Sequence, residues 1–129
     1  MSKTLGILFL AGSMLSACRA QGELKTVQTQ QAGDITVTVL SESGSIKNGA
    51  NDFVLEFRKA NQLVDVGTVD VAPVMEMAGM APMMGTANVT ASDTPGRYRV
   101  TGGLTMAGLW KFNVKYGNGQ SVRINVNAQ

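Results

Sequence analysis

Five stretches of this chain alternate apolar and polar residues with a period of two, and that pattern constrains the fold more than anything else in it. In DITVTVLS, Ile35, Val37 and Val39 alternate with Thr36 and Thr38. In DFVLEFRK, Phe53, Leu55 and Phe57 share one face, with Glu56 and Arg58 on the other. In GRYRVTG, Tyr98 and Val100 oppose Arg97 and Arg99. GLWKFNVKYG sets Trp110, Phe112, Val114 and Tyr116 against Lys111, Asn113 and Lys115, and QSVRINVNA sets Val122, Ile124 and Val126 against Arg123, Asn125 and Asn127. Successive side chains of a strand point to opposite faces, so each stretch has one face to bury and one to show to water. That is the signature of antiparallel strands covered on one side.

Weaker strands lie near Leu63–Pro73, where the phase slips around Gly67 and suggests a bulge or bend, and near Thr86–Ser92. Tyr116-Gly117-Asn118-Gly119 closes the last hairpin, and Lys47-Asn48-Gly49 joins the first two strands. No stretch carries a helical period. About seven short strands with turns between them predict an all-β fold, an immunoglobulin-like antiparallel β-sandwich over residues 34–129. The turn with Asp93, Pro95 and Gly96 just before Tyr98 is similar to the tyrosine corner of Greek-key sandwiches, in which the phenol bonds back to backbone.

The N-terminal region predicts location. Lys3 and the apolar run Leu5–Leu15 form a signal peptide too short to span a bilayer comfortably. Leu15-Ser16-Ala17-Cys18 resembles a bacterial lipobox, so residues 1–17 are the expected leader and Cys18 the expected lipidation site and mature N-terminus. Cys18 is the single cysteine, which leaves no internal disulfide. A lipoprotein cysteine carries more than one acyl chain, and several chains make a durable anchor. Arg19, where an Asp would resemble an inner-membrane retention signal, points to the outer membrane and its periplasmic face. Residues 18–33 then read as the lipidated cysteine and a flexible tether rich in Gln, Thr, Ala and Gly.

Charge and composition narrow the function. Lys3 falls in the leader, so ten of the eleven cationic residues remain against nine acidic ones, interleaved without a basic patch. That excludes nucleic acid as an expected partner. The chain has no histidine and no thiol besides Cys18, and no serine beside an evident base, so no enzyme is expected. The same absences exclude a blue-copper centre and make a structural zinc site a poor fit.

What the chain does have is VMEMAGMAPMMG, with Met75, Met77, Met80, Met83 and Met84 inside twelve positions. Met75 and Met77 are two apart and share a face if extended. Gly79 and Pro82 break regular structure and put Met80, Met83 and Met84 on an irregular loop. Met106 opens the Trp110 strand with matching parity. Trp110 itself reads as core. Thioethers are neutral, polarizable donors that select Cu(I), and Ag(I) with it, over hard cations. Two to four suffice for a monovalent ion, with no proton to displace. The competing reading is an adaptable contact surface, a use to which methionine-rich segments are also put.

The order of these motifs carries a resemblance. Met80, Pro82, Met83 and Met84 come first, then Pro95, Gly96 and Tyr98, then Met106, Gly108 and Trp110. Over roughly Gly49–Val126 this resembles the YtkA-like domain, close to the FixH-like proteins. The resemblance implies a β-sandwich at the bacterial cell envelope. FixH-like members are linked to copper supply for a haem-copper oxidase, and YtkA-like domains occur beside heavy-metal efflux systems. This chain has a lipobox where FixH-like proteins have a membrane helix, so a general copper- or metal-handling role is the expectation rather than oxidase assembly. Two functions follow. One is a lipid-anchored Cu(I) carrier or buffer with Met75, Met77, Met80, Met83, Met84 and Met106 as candidate ligands. The other is a metal-free accessory lipoprotein whose methionine loop docks onto an envelope or efflux complex.

Overall fold

The computed structural model describes residues 24–129; the expected signal peptide and lipidated Cys18 lie outside the described residues. Ten strands follow one another: β1 Lys25–Ala32, β2 Ile35–Ser41, β3 Gly49–Lys59, β4 Gln62–Leu63, β5 Val69–Met75, β6 Met83–Met84, β7 Thr86–Ala91, β8 Arg97–Leu104, β9 Gly108–Tyr116 and β10 Gln120–Ala128. They form two sheets. The first runs β1-β2-β3-β8-β7, with β4 paired to β3, and the second runs β10-β9-β5-β6. Every strand pairing is antiparallel. Without β1 and the two-residue strands β4 and β6, seven strands remain, split four and three as in immunoglobulin domains.

The alternation in the sequence is the core. Val37, Val39, Phe53, Leu55, Phe57 and Val100 face inward from the first sheet, and Trp110, Phe112, Val114, Ile124 and Val126 from the second, all buried. Phe53 stacks on Phe112 across the two sheets with ring centroids 5.5 Å apart, and Phe57 meets Tyr98 and Tyr116 at 5.5 and 5.3 Å. Each such side chain stabilises the fold by about 1.5–3 kcal/mol on burial.

Two expectations need correction. Lys25–Ala32 is not tether: it is strand β1, paired with β2 from Lys25 to Ala32 with one irregularity at Val27. Six of the eight residues of β1 are exposed and only Val27 packs on the core, so the sheet edge leaves no apolar alternation in the sequence. Of the bulge or bend expected around Gly67, the structure has the bend, in the β4–β5 connection, and β5 alternates cleanly from Val69 onward. Tyr98 does not form a local tyrosine corner. Its hydroxyl lies 2.8 Å from the Gly67 carbonyl oxygen and 3.1 Å from Asp65 Oδ1, so it ties β8 to the β4–β5 connection instead. The phenol is a neutral donor there; burial, then the Asp65 hydrogen bond, push its pKa up.

The sandwich has two unlike ends. Turns at Gly33–Asp34, Ala60–Asn61 and Gly117–Gly119, with the segments 64–68 and 92–96, form a polar end. The opposite end carries the β5–β6 hairpin, the β8–β9 turn and the β2–β3 loop, which is fastened by an Ile46–Ala128 bridge.

Candidate metal centre

All six candidate methionines lie at that second end. β5 terminates at Met75, residues 76–82 form the hairpin loop, and β6 returns with Met83 and Met84. A turn bond from Met80 N–H to the Met77 carbonyl, 3.2 Å long, shapes the loop. Met83 and Met84 are therefore on a short strand rather than an irregular loop, because β5 offers a free edge for them to pair with. Met106 comes from the far side of the sequence. It sits in the turn before β9, not on the strand, and its carbonyl accepts the Trp110 indole N–H at 3.0 Å. That bond fixes the turn against the fully buried ring of Trp110.

Two glycines allow the close packing. The chain crosses from the second sheet to the first at Gly85, where a Cβ would lie 2.9 Å from the Gly103 carbonyl oxygen and 3.0 Å from both Leu104 and Pro73. Gly108 adopts φ 134° with the Met75 Cε methyl 2.8 Å from where its Cβ would be. Met75 thus reaches under the turn that holds Met106.

The six do not share one environment. Met75 is 5 % exposed and belongs to the core, while Met77 and Met83 are partly buried and pack against it. Met80, Met84 and Met106 are 66 %, 61 % and 39 % exposed. Met83 and Met84 are adjacent on a strand, so they point to opposite faces of the sheet. Met83 joins Met75 on the inner face; Met84 stands on the outer face beside Val74. Antiparallel partners have Cβ atoms about 5 Å apart, which brings the Met75 and Met83 thioethers within reach of each other.

The charges at this end are paired or outside the thioether cluster. Glu76 accepts a 2.8 Å bond from Lys111 on the outer face, and that bond and charge hold its carboxyl below the usual carboxylate range. It is committed to holding the hairpin to β9. Among the described residues no group of three or more His, Cys, Asp or Glu could hold a metal ion. The donors available at this end for a soft ion are the thioethers. A separate open groove of about 750 Å³ crosses the outer face of the first sheet, past Asp52, Arg97 and Arg99. Its arginines are occupied: Arg99 pairs with Asp52 at 3.0 Å and Arg97 with the buried Glu56 at 2.9 Å.

The model of the YtkA-like family matches residues 29–115, from the middle of β1 through β9. The chain belongs to the YtkA-like family. No curated protein and no solved structure matches it. The YtkA-like match takes in half of β1, the strand the sequence pattern hides, and spans both the methionine hairpin and the Met106 turn. Leu109 is the residue at this end that sequence reasoning missed. It is 55 % exposed beside Met106, on the outward parity of β9, and that parity was the available signal.

Proposed function

We propose that this chain is a lipid-anchored protein of the bacterial cell envelope that binds Cu(I), or Ag(I), through methionine thioethers and acts as a metal carrier or buffer. The observation that supports this most is the gathering of six thioethers from two distant parts of the sequence at one end of a rigid sandwich. Met77 and Met83 are half-buried against the core, and Met83 is in addition held on strand β6. Met80, at the exposed turn, is the ligand that can move to meet an incoming ion or a receiving protein. Met75 forms the floor, and Met84 and Met106 are the outer donors. A carrier needs such a graded set, because an ion held only by buried ligands exchanges slowly. The receiving partner would be a copper-handling or heavy-metal efflux protein with soft ligands of its own.

The exposure of Met80, Met84, Met106 and Leu109 favours one other reading, a metal-free module that docks onto an envelope complex through this surface. Trp110 distinguishes the two. It is the single tryptophan and its indole is bonded to the Met106 carbonyl. Under oxygen-free reducing conditions, Cu(I) should quench or shift its emission saturably, and Leu at Met77, Met80, Met83 and Met84 should abolish the change. Unchanged emission together with no bound copper after gel filtration favours the docking module.

A further inference from the structure

We infer that the methionine end of the domain faces, and rests on, the lipid surface of the membrane that holds the anchor. The inference uses the reading of Cys18 as lipidated and adds an orientation to it. It begins with the correction at β1. Since the sheet starts at Lys25, six covalent steps separate Cys18 from Leu24, a contour of at most about 20 Å.

The direction in which β1 runs decides which end that length can serve. Ala32 pairs with Ile35 at the polar end, and Lys25 pairs with Ser41, next to the loop that leads to β3. A Cβ at Gly44 of that loop would lie 3.3 Å from the Lys25 Cβ, so the loop runs close beside the start of β1. Followed backward, the chain therefore leaves the polar end, passes Lys25 and heads toward the methionine end. The eight residues of β1 extend about 26 Å. For the polar end to face the membrane, the segment before Leu24 would have to double back over that distance, which is longer than its contour. The methionine end lies only about 13 Å beyond the level of Ser41, the four residues from Phe53 back to Gly49.

The surface itself agrees. Among the described residues the exposed large hydrophobics are Leu24, Met80, Met84, Met106 and Leu109. Four surround the methionine end, and the fifth is where the chain enters. None is at the polar end. Unbranched and aliphatic side chains suit the headgroup boundary, where they bury apolar area without a matching shape. Lys47 lies in the β2–β3 loop at this end, the Glu76–Lys111 pair neutralises itself on its outer side, and Lys25 and Glu42 sit further back, near the level of Ser41. The contact is therefore mainly apolar and survives salt. Its consequence for the proposed site is that ions arrive and leave at the membrane face, from a membrane-embedded exporter or acceptor rather than from a freely diffusing one.

The test uses the full lipidated chain in phosphatidylethanolamine–phosphatidylglycerol vesicles. Ala81→Cys at the hairpin and Asn118→Cys at the polar end each carry an environment-sensitive fluorophore, and the quencher is a spin label on the lipid. The lipid on Cys18 blocks that thiol and is checked by mass. Loss of fluorescence at Ala81→Cys, none at Asn118→Cys, and recovery when Met80, Met84 and Leu109 are changed to Gln support the inference. Equal quenching of the two labels on a lipidated chain overturns the orientation and leaves the anchor intact. Quenching of the Ala81→Cys label in native membranes but not in pure lipid overturns it in favour of a membrane protein at this end. A chain without lipid on Cys18 overturns the anchor and the inference together.

Discussion

Met75 and Met83 are register partners across β5 and β6, so two of the six methionines stand side by side on the inner face of the second sheet. Met84, one residue on, pairs with Val74 on the outer face. Strand parity thus sets Met75 and Met83, which face the core of the sandwich, apart from Met84, which meets whatever lies outside it.

Stability should follow that division. Met75→Ala removes a 5 %-exposed core side chain and should cost about 2–5 kcal/mol. Met80→Ala and Met84→Ala should change stability by no more than about 0.5 kcal/mol. Met75→Leu, which keeps the volume, should cost less than about 1.5 kcal/mol. Urea unfolding monitored through Trp110 measures all four. Equal sensitivity at Met75 and Met84 would contradict the assignment of faces.

Gly108→Ala should destabilise the domain by about 1–3 kcal/mol, since φ 134° is a conformation that side chains rarely adopt and the Met75 methyl occupies the space. The damage should concentrate at the methionine end, seen as faster amide exchange across the β8–β9 turn. Protection there equal to that of the unaltered chain would show that the turn tolerates a Cβ.

At high pH the domain should lose stability. Tyr98 is held protonated by burial and its hydrogen bond to Asp65, and Tyr116 by burial and the Asp34 charge, so both pKa values lie above the ordinary tyrosine value of 10.0. A raised folded pKa means that the folded state holds the proton more tightly. The contribution is full below about pH 10 and is lost as pH rises through the folded value. Tyr98→Phe should remove part of that alkaline loss while costing about 1 kcal/mol at neutral pH. Unfolding curves from pH 7 to 11 for both chains check it. Because Tyr98 bonds to the β4–β5 connection at the polar end, Cu(I) binding should be unaffected.

Glu56 anchors a different part of the first sheet. Its carboxylate is buried on the outer face between Arg58 and Arg97. Glu56→Ala should cost about 1–3 kcal/mol, because Arg97 loses its carboxylate and Arg58 keeps only the Asn61 carbonyl. Glu56→Gln should cost less, and neither change should move metal affinity.

Much of this fold is legible in the sequence because its central strands are buried on one face only. β2, β3, β8, β9 and β10 each spell out their inner face, and the hairpin at Gly117–Gly119 announces itself. β1 is not legible, since an edge strand that gives the core little besides Val27 imposes no alternation on its Gln and Thr residues. β6 is not legible either. Gly79 and Pro82 signal a break, and nothing local reveals that two residues after it regain a partner. The composition of the methionine cluster can be read directly, but its division cannot. Met75 differs from Met80 only through a strand and a core that form from distant residues, among them the Gly108 turn and Trp110.

The most direct measurement is a competition for Cu(I) between the folded domain and a chromophoric chelator, under reducing, oxygen-free conditions and at several pH values. The comparison chain carries Leu at Met77, Met80, Met83, Met84 and Met106 and keeps Met75 for the core. The account predicts that the unaltered domain takes copper from the chelator with little dependence on pH, since thioethers have no proton to lose, and that the folded variant does not. A variant that competes as well as the unaltered domain, or an unaltered domain that does not compete at all, would contradict it.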